Sequence, residues 1–193
     1  MCWAFRFAEN TVMANNPAIA TPHAGRITRA GKDAALLVRE GDHLGWESRR
    51  YGISFPKVEG GSKLIWNARD DKIDKVETWY RLIRQRFAVP IDAYVESTPR
   101  ETWHVGDAAW AVGIYSVTAD GGAVIVTESD GSGGRRPILL DAEHAIAWIR
   151  AEQWDAMPHL HQAPRMAFRK ADLFETKRLE ADARSKVPLP RAA

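Results

Sequence analysis

Apolar and polar residues take turns from Phe87 to Glu96. Phe87, Val89, Ile91, Ala93 and Val95 fall on one side, and Ala88, Pro90, Asp92, Tyr94 and Glu96 on the other. This period of two predicts a strand whose second face borders solvent or lines a polar pocket. Pro90 gives no ladder N–H and so points to an edge or an irregular spot. The same period runs through Cys2–Phe7, with Trp3, Phe5 and Phe7 on one face and Cys2, Ala4 and Arg6 on the other. The aromatic face is expected to bury, leaving Cys2 beside a cation that favours its thiolate. Ala34 to Val38 reads as a short buried strand. Gly41-Asp42 then turns the chain into a hairpin arm from Leu44 to Ile53, and Leu64-Ile65-Trp66 is extended after the loop Glu59-Gly60-Gly61-Ser62. Thr102–Val105, Ala109–Val117 and Ala123–Thr127 complete a meander, joined by Gly106-Asp107 and by Asp120-Gly121-Gly122.

Helical spacing takes over in two places. Asp70 or Asp71 is placed to cap a helix carrying Ile73, Val76, Tyr80 and Ile83, with Arg81, Arg84 and Arg86 toward its end, where cations suit the helix dipole. Asp141 is placed to cap a second, with Ala142, Ala145, Ile146 and Ile149 inward. Residues 8 to 25 read as irregular loop. From about Ala171 the chain is highly charged and ends Pro188-Leu189-Pro190, an exposed helix and tail.

At 193 residues the chain fits one domain with a real core. Its net charge is only +2, so a basic surface for a partner must be local. The single cysteine rules out an internal disulfide and a cysteine zinc site, and suggests a reducing compartment. No apolar run approaches transmembrane length and no signal pattern opens the chain, so a cytoplasmic protein without a membrane partner is expected. His159 and His161 lack a third ligand at suitable spacing, so no metal is expected. Ser129–Gly134 is glycine-rich, but no Gly-Lys-Ser/Thr follows and a phosphate-cradling P-loop is not supported.

The chemistry concentrates at Cys2. Once Met1 is removed, this residue carries an α-amine and a thiol on adjacent carbons, titrating near ~7.7–8.0 and ~8.5 respectively. Such a 1,2-aminothiol condenses with an aldehyde, first as a Schiff base and then as a five-membered thiazolidine.

Several boxes then match one family in order. Met1-Cys2-Trp3-Ala4-Phe5 stands for its opening Met-Cys-Gly-Arg-Phe. Leu64-Ile65-Trp66-Asn67-Ala68-Arg69 stands for Leu-Ile before an Asn-Ala-Arg box, with one inserted tryptophan. Arg86 to Glu96 stands for a strand that reaches Tyr-Glu-Trp, Ala111-Val112-Gly113-Ile114-Tyr115 for a strand ending Ala-Gly-Leu/Ile-(Trp/Tyr), and Arg135-Arg136-Pro137-Ile138-Leu139-Leu140 for Arg-Met-Pro-Val-Ile-Leu. Over residues 1 to about 150 the chain resembles the SOS-response-associated peptidase (SRAP) family, whose members covalently trap abasic sites in single-stranded DNA through an N-terminal cysteine.

The resemblance implies a single α+β domain over residues 1–170, a mostly antiparallel sheet with a barrel-like core and a few short helices, followed by the charged helix and tail at 171–193. It implies Cys2 as nucleophile, Asn67 orienting the opened sugar or the Cys2 amine, and Glu96 as general acid/base. It implies Arg69 on a phosphate beside the lesion, with Arg6, Arg26, Arg84, Arg135, Arg136, Trp3 and Trp66 completing the DNA surface. The implied partner is single-stranded DNA with an abasic site, the protein acting as a monomer and without a cofactor. Three departures stand out. Trp3 and Ala4 replace the glycine and arginine after the cysteine, with Arg6 standing in. Arg26-Ile27-Thr28-Arg29-Ala30-Gly31 is a degraded Arg-Tyr-Asn-x-Ala-Pro. Gly133 falls where the family has an active-site histidine. Two other readings stay open: a non-covalent module for single-stranded or modified DNA, and a peptidase, for which no serine/histidine arrangement is present.

Overall fold

β-Branched and aromatic residues crowd the extended runs of this chain, and such residues pack well on a pleated surface. The structure, a computed structural model, describes residues 2–8, 22–96, 101–118 and 121–184. Among these residues are thirteen strands and five helices. In chain order they are β1 (Cys2–Phe7), β2 (Ile27–Arg29), β3 (Asp33–Glu40), β4 (His43–Tyr51), β5 (Ile53–Pro56), β6 (Ser62–Ile65), β7 (Asn67–Arg69), α1 (Asp70–Ile73), α2 (Glu77–Leu82), β8 (Arg86–Glu96), β9 (Thr102–Tyr115), β10 (Gly122–Ser129), β11 (Arg135–Pro137), β12 (Leu139–Leu140), α3 (Ala142–Arg150), α4 (Ala156–Gln162), β13 (Arg169–Lys170) and α5 (Leu173–Arg184). The expected loop at 8–25 and the expected tail after Arg184 fall largely outside the described residues.

Eleven strands share one mostly antiparallel sheet, and β5 and β6 form a separate hairpin. The pairings β9–β10, β10–β4, β4–β3, β3–β8 and β8–β9 run round a ring. The β4–β10 link is only two parallel pairs, Arg50 with Gly122 and Tyr51 with Ala123. The sheet is therefore barrel-like without closing along its length. This is the single α+β domain the sequence leads one to expect. Among the described residues no helix is long and apolar enough to cross a membrane.

Three apolar clusters divide the sheet residues by face. Leu37, Ala88, Trp110, Val112, Ile114, Val124 and Val126 pack against α3 and α4 around Trp148, whose Nε1 donates to the Gly113 carbonyl at 3.2 Å. Cys2, Phe5, Phe7, Tyr51, Phe87, Val89, Ile91, Tyr94 and Ile125 form a second cluster. Ala4, Ala93, Val95, Trp103 and Val105 form a third, onto which Leu179 of α5 docks.

These clusters correct the strict alternation read from the sequence. Along β8, Phe87, Val89 and Ile91 share a cluster with Tyr94, whereas Ala93 and Val95 belong to another. The cause is an irregularity at Asp92: the register with β1 jumps from Ile91–Phe7 to Ala93–Arg6, and the register with β9 jumps at the same point. A bulge moves every later side chain to the other face. A second register shift between Cys2 and Ala4 does the same in β1. Cys2 therefore joins Phe5 and Phe7, while Trp3 packs on the α5 side. Pro90 lies where β8 changes partner from β3, which ends its pairing at Ala88, to β1, which begins at Ile91. The expected irregular spot is this gap.

The helix expected from Ile73 to Ile83 is two short helices broken at Val76, whose backbone is extended (φ −98°, ψ 116°). Arg69, without a side-chain capping bond, takes the N-cap position, and Asp70 and Asp71 fall in the first turn. Trp79 is buried, whereas Val76 and Tyr80 are exposed. Asp141 does cap α3, accepting from the His144 N–H at 2.9 Å.

Gly113 lets the Phe87 ring cross β9: a Cβ there would lie 2.1 Å from Phe87 Cζ and 2.4 Å from the Val124 carbonyl oxygen. Gly113→Ala should therefore destabilise the fold by ~1–3 kcal/mol through overpacking, read as a lower denaturant midpoint. An unchanged midpoint would show that this crossing is not tight.

Candidate active site

Cys2 and Glu96 are direct cross-strand partners at the ends of β1 and β8. The two register shifts bring this about, because they turn Cys2, Tyr94 and Glu96 to one face. Tyr51, at the end of β4, donates its hydroxyl to the Cys2 carbonyl at 2.8 Å and lies 3.9 Å from Sγ. The thiol itself points toward the Ala4 carbonyl at 3.5 Å. Cys2 has no exposed surface.

That burial reverses the expectation for the thiol. Desolvation pushes it up to about 12, the Tyr51 hydrogen bond pulling it back and the Glu96 charge adding to the rise. The cation expected beside it is elsewhere. Arg6 stands on the α5 side of the sheet, where Nε and Nη2 donate to Asp92 at 2.7 and 3.0 Å and Nη1 lies 3.9 Å from Asp182.

Glu96 has a neighbour that the sequence reading missed. His104 of β9 pairs with Tyr94, stacks on its ring (centroids 4.8 Å apart, planes at 4°) and places Nε2 3.7 Å from Glu96 Oε2. Burial lowers the His104 pKa, with Glu96 pulling the other way. Burial likewise raises the Tyr94 phenol, with the charges of Glu96 and Cys2 adding to it. The signal for His104 was present in the hairpin: aligning Glu96 with Thr102 puts His104 opposite Tyr94.

Asn67 opens β7 and runs parallel to Ile125 of β10. Both polar atoms of its amide, Nδ2 and Oδ1, are buried without a hydrogen-bond partner among the described residues. An amide in that state has its full capacity left for a ligand. Trp66 beside it packs against the Cys2 cluster, and its Nε1 is likewise unpartnered. Trp3 is half-buried on the other face, with the Arg29 guanidinium 5.3 Å from its ring centre.

The remaining arginines fall into separate groups. Arg69 makes a bidentate pair with Asp71 (3.0 and 2.7 Å), holding that carboxyl down to about 2. Arg135 reaches Asp70 and Thr127. With Gly133 and Ser129 these residues line an open cavity of about 330 Å³. Arg136 pairs with Glu128, which also takes Arg165. β11, carrying Arg135 and Arg136, lies against β1. Arg26 sits at the far end of β1, its carbonyl accepting from the Phe7 N–H at 2.8 Å. Arg84 and Arg86 lie at the opposite end of β8 from Glu96. Gly133 has φ +90° and open space around it, so a histidine there would be strained. Among the described residues no cluster of three or more His, Cys, Asp or Glu side chains is placed to hold a metal ion.

Fold and site together define a single α+β domain with a buried cysteine set against a glutamate, a histidine and two tyrosines. No protein-family model matches the chain, and no curated protein does. Among solved structures it is similar to a phage-related protein from Bordetella bronchiseptica, with 22% identity, a TM-score of 0.67 and coverage of 88% of this chain and 93% of that one. A second Bordetella bronchiseptica protein covers 89% of this chain and 100% of its own at 15% identity and a TM-score of 0.63. A protein from Bacteroides thetaiotaomicron matches at 14% identity and a TM-score of 0.52, over 83% of this chain and 82% of its own. At these identities the likeness is one of fold.

A thiol held near 12 is almost wholly protonated at neutral pH, and its nucleophilic fraction grows with every step upward. Alkylation of Cys2 at about pH 8 should therefore be at least about tenfold slower in the folded protein than in the unfolded chain, whose thiol is accessible and titrates near ~8.5. Equal rates in the two states would contradict the buried thiol.

Proposed function

We propose that this chain is a divergent SRAP-type protein that traps abasic sites in single-stranded DNA through Cys2, acting in the cytoplasm without a cofactor. The observation that carries the reading is the direct pairing of Cys2 with Glu96. The unsatisfied amide of Asn67 and the proximity of His104 to Glu96 support it.

The chemistry requires Met1 to be removed, since only then is the Cys2 nitrogen an amine rather than an amide. That amine adds to the sugar aldehyde, and loss of water leaves a Schiff base. The Cys2 sulfur then adds to the same carbon. The C–S bond closes the thiazolidine, and the thiol proton passes to a base. Glu96 is placed for that transfer, and for giving a proton to the departing hydroxyl in the step before. His104, its ring fixed on Tyr94, takes the place of the loop histidine that Gly133 lacks. Arg69 and Arg135 bind phosphate by exchanging carboxylate oxygens for phosphate oxygens, and the fork of Arg69, bidentate on Asp71, suits either acceptor.

A second reading has its own support. Cys2 is fully buried, and Arg6, Arg69, Arg135 and Arg136 are each already matched to a carboxylate. A non-covalent binding module on the same scaffold fits those two facts.

A denaturing gel of protein mixed with abasic single-stranded DNA separates the two. A crosslinked band is expected from wild type and none from Cys2→Ala, with Glu96→Gln slowing its appearance by ~10²–10⁴-fold. Intact mass should be lower by one methionine. A band that survives Cys2→Ala would refute the thiazolidine, and no wild-type band anywhere from about pH 5 to 8 leaves the binding module as the function.

The carboxylate exchange can be checked separately. Asp71→Asn removes the competitor for Arg69, so affinity for undamaged single-stranded DNA should rise, most clearly at low salt. A weaker complex would mean that Asp71 orients Arg69 rather than competing with the phosphate.

A further inference from the structure

A cavity of about 580 Å³ lies at the other end of β8 from Cys2. It opens between the β3–β4 turn, the start of β8 and the segment joining α3 to α4. Its volume is that of a small-molecule site. Arg39, Arg84 and Arg86 line it, as do Trp154 and a single acidic residue, Glu152, so three cations stand against one carboxylate.

These arginines differ in one respect from six others. Arg6, Arg69, Arg135, Arg136, Arg165 and Arg169 each have a carboxylate within ion-pair distance. Arg39, Arg84 and Arg86 have none among the described residues, and bind neutral groups instead. Arg39 donates to the carbonyls of Gly41 (2.7 Å) and Arg150 (3.3 Å), and Arg84 donates to the Gln153 amide oxygen at 2.5 Å. Arg86 is buried, and its guanidinium is spent on the carbonyls of Trp148, Ile83 and Ala151. Those carbonyls end α2 and α3, so Arg86 is a structural floor. Burial lowers its pKa; Glu152 works against that shift, and the nearby charge of Arg39 adds to it. Arg39 and Arg84 are exposed and have donors to spare.

An aromatic surface stands on the same rim. Trp154 is 72% exposed, next in sequence to the Gln153 that Arg84 holds, and the Tyr80 ring lies 6.1 Å from it. A large exposed indole beside guanidiniums that outnumber the one carboxylate, and that form no ion pair with it, recognises a planar ring that carries an anion.

We infer that this cavity is a second, non-covalent site that binds a nucleoside phosphate, the phosphate on Arg39 and Arg84 and the base on Trp154. The site is independent of Cys2 and of the reaction proposed there. The phosphate ester belongs either to a free mononucleotide or to a nucleotide within a single strand, since both present the same group.

Calorimetric titration with deoxyadenosine monophosphate, inorganic phosphate, deoxyadenosine and a short oligodeoxyadenylate tests it. The monophosphate should bind saturably, at least about tenfold tighter than phosphate or the nucleoside alone, because each of those offers half of the contacts. Arg39→Ala with Arg84→Ala should weaken both phosphate-bearing ligands by about tenfold or more. Trp154→Ala should weaken the monophosphate and leave phosphate unchanged, and Cys2→Ala should leave all binding as it was. All three changed side chains are exposed, so these variants keep the fold. An oligonucleotide at least about tenfold tighter than the monophosphate identifies a strand as the source, and one no tighter identifies a free nucleotide. Absence of saturable monophosphate binding at millimolar concentration, inorganic phosphate binding equally well, or binding indifferent to the arginine variants overturns the inference.

Discussion

The bidentate pair of Arg6 and Asp92 stands at the point where β8 loses its alternation. Both side chains are largely buried, at 11% and 15% exposure, and a pair in that setting holds only while its geometry is good. Asp92 meets Arg6 on the α5 side, and the residues after it are turned over as a result. Tyr94 and Glu96 then share a face with Cys2. Arg6 reaches Asp182 of α5 from the same position. The constellation on one face of the sheet is thus set by charges on the other.

Much of this architecture was legible in the chain. The apolar run Ala34–Val38 became the centre of β3, Phe87–Glu96 became β8, Ala123–Thr127 became β10, and Asp141 capped α3. Thr102–Val105 and Ala109–Val117, by contrast, expected as two strands joined at Gly106-Asp107, run together as the single strand β9. What escaped was any event one residue long. A period-two pattern gives the same residues to a strand with or without a bulge, so the faces of Cys2 and Tyr94 were assigned wrongly. Helical spacing at Ile73, Val76, Tyr80 and Ile83 was matched by two short helices, because apolar residues at such intervals do not reveal an extended Val76 between them. Of the residues assigned to the site, Cys2 and Glu96 are partners in space. Arg84 is at the far end of β8, and the pairing of Arg69 with Asp71 was written two residues apart in the sequence. His104 was hidden for another reason: its role comes from the register of the β8–β9 hairpin, which a pattern read one strand at a time does not report.

A net charge of +2 conceals an uneven distribution. Toward the Cys2 end Arg6, Arg69, Arg135 and Arg136 each meet a carboxylate, which weakens the field they project. At the opposite end Arg39, Arg84 and Arg86 face a cavity where they hydrogen-bond carbonyls and an amide, and where Glu152 is the one carboxylate on the wall. The two ends of β8 therefore present different electrostatic character to a ligand, although both are rich in arginine.

The narrow join between β4 and β10 has a mechanical consequence. Tyr51, whose hydroxyl holds the Cys2 carbonyl, is one of the two β4 residues in that join. Local opening of a fold starts where the fewest bonds must part. Fraying this seam leaves the tyrosine, the cover over the sulfur, held on one side only, by Gly31 and Lys32, while the long β8–β9 ladder stays intact. Exposure of the thiol is then a matter of how often the ring unzips: a rate, set by the rim of the barrel rather than by the groups that surround the cysteine.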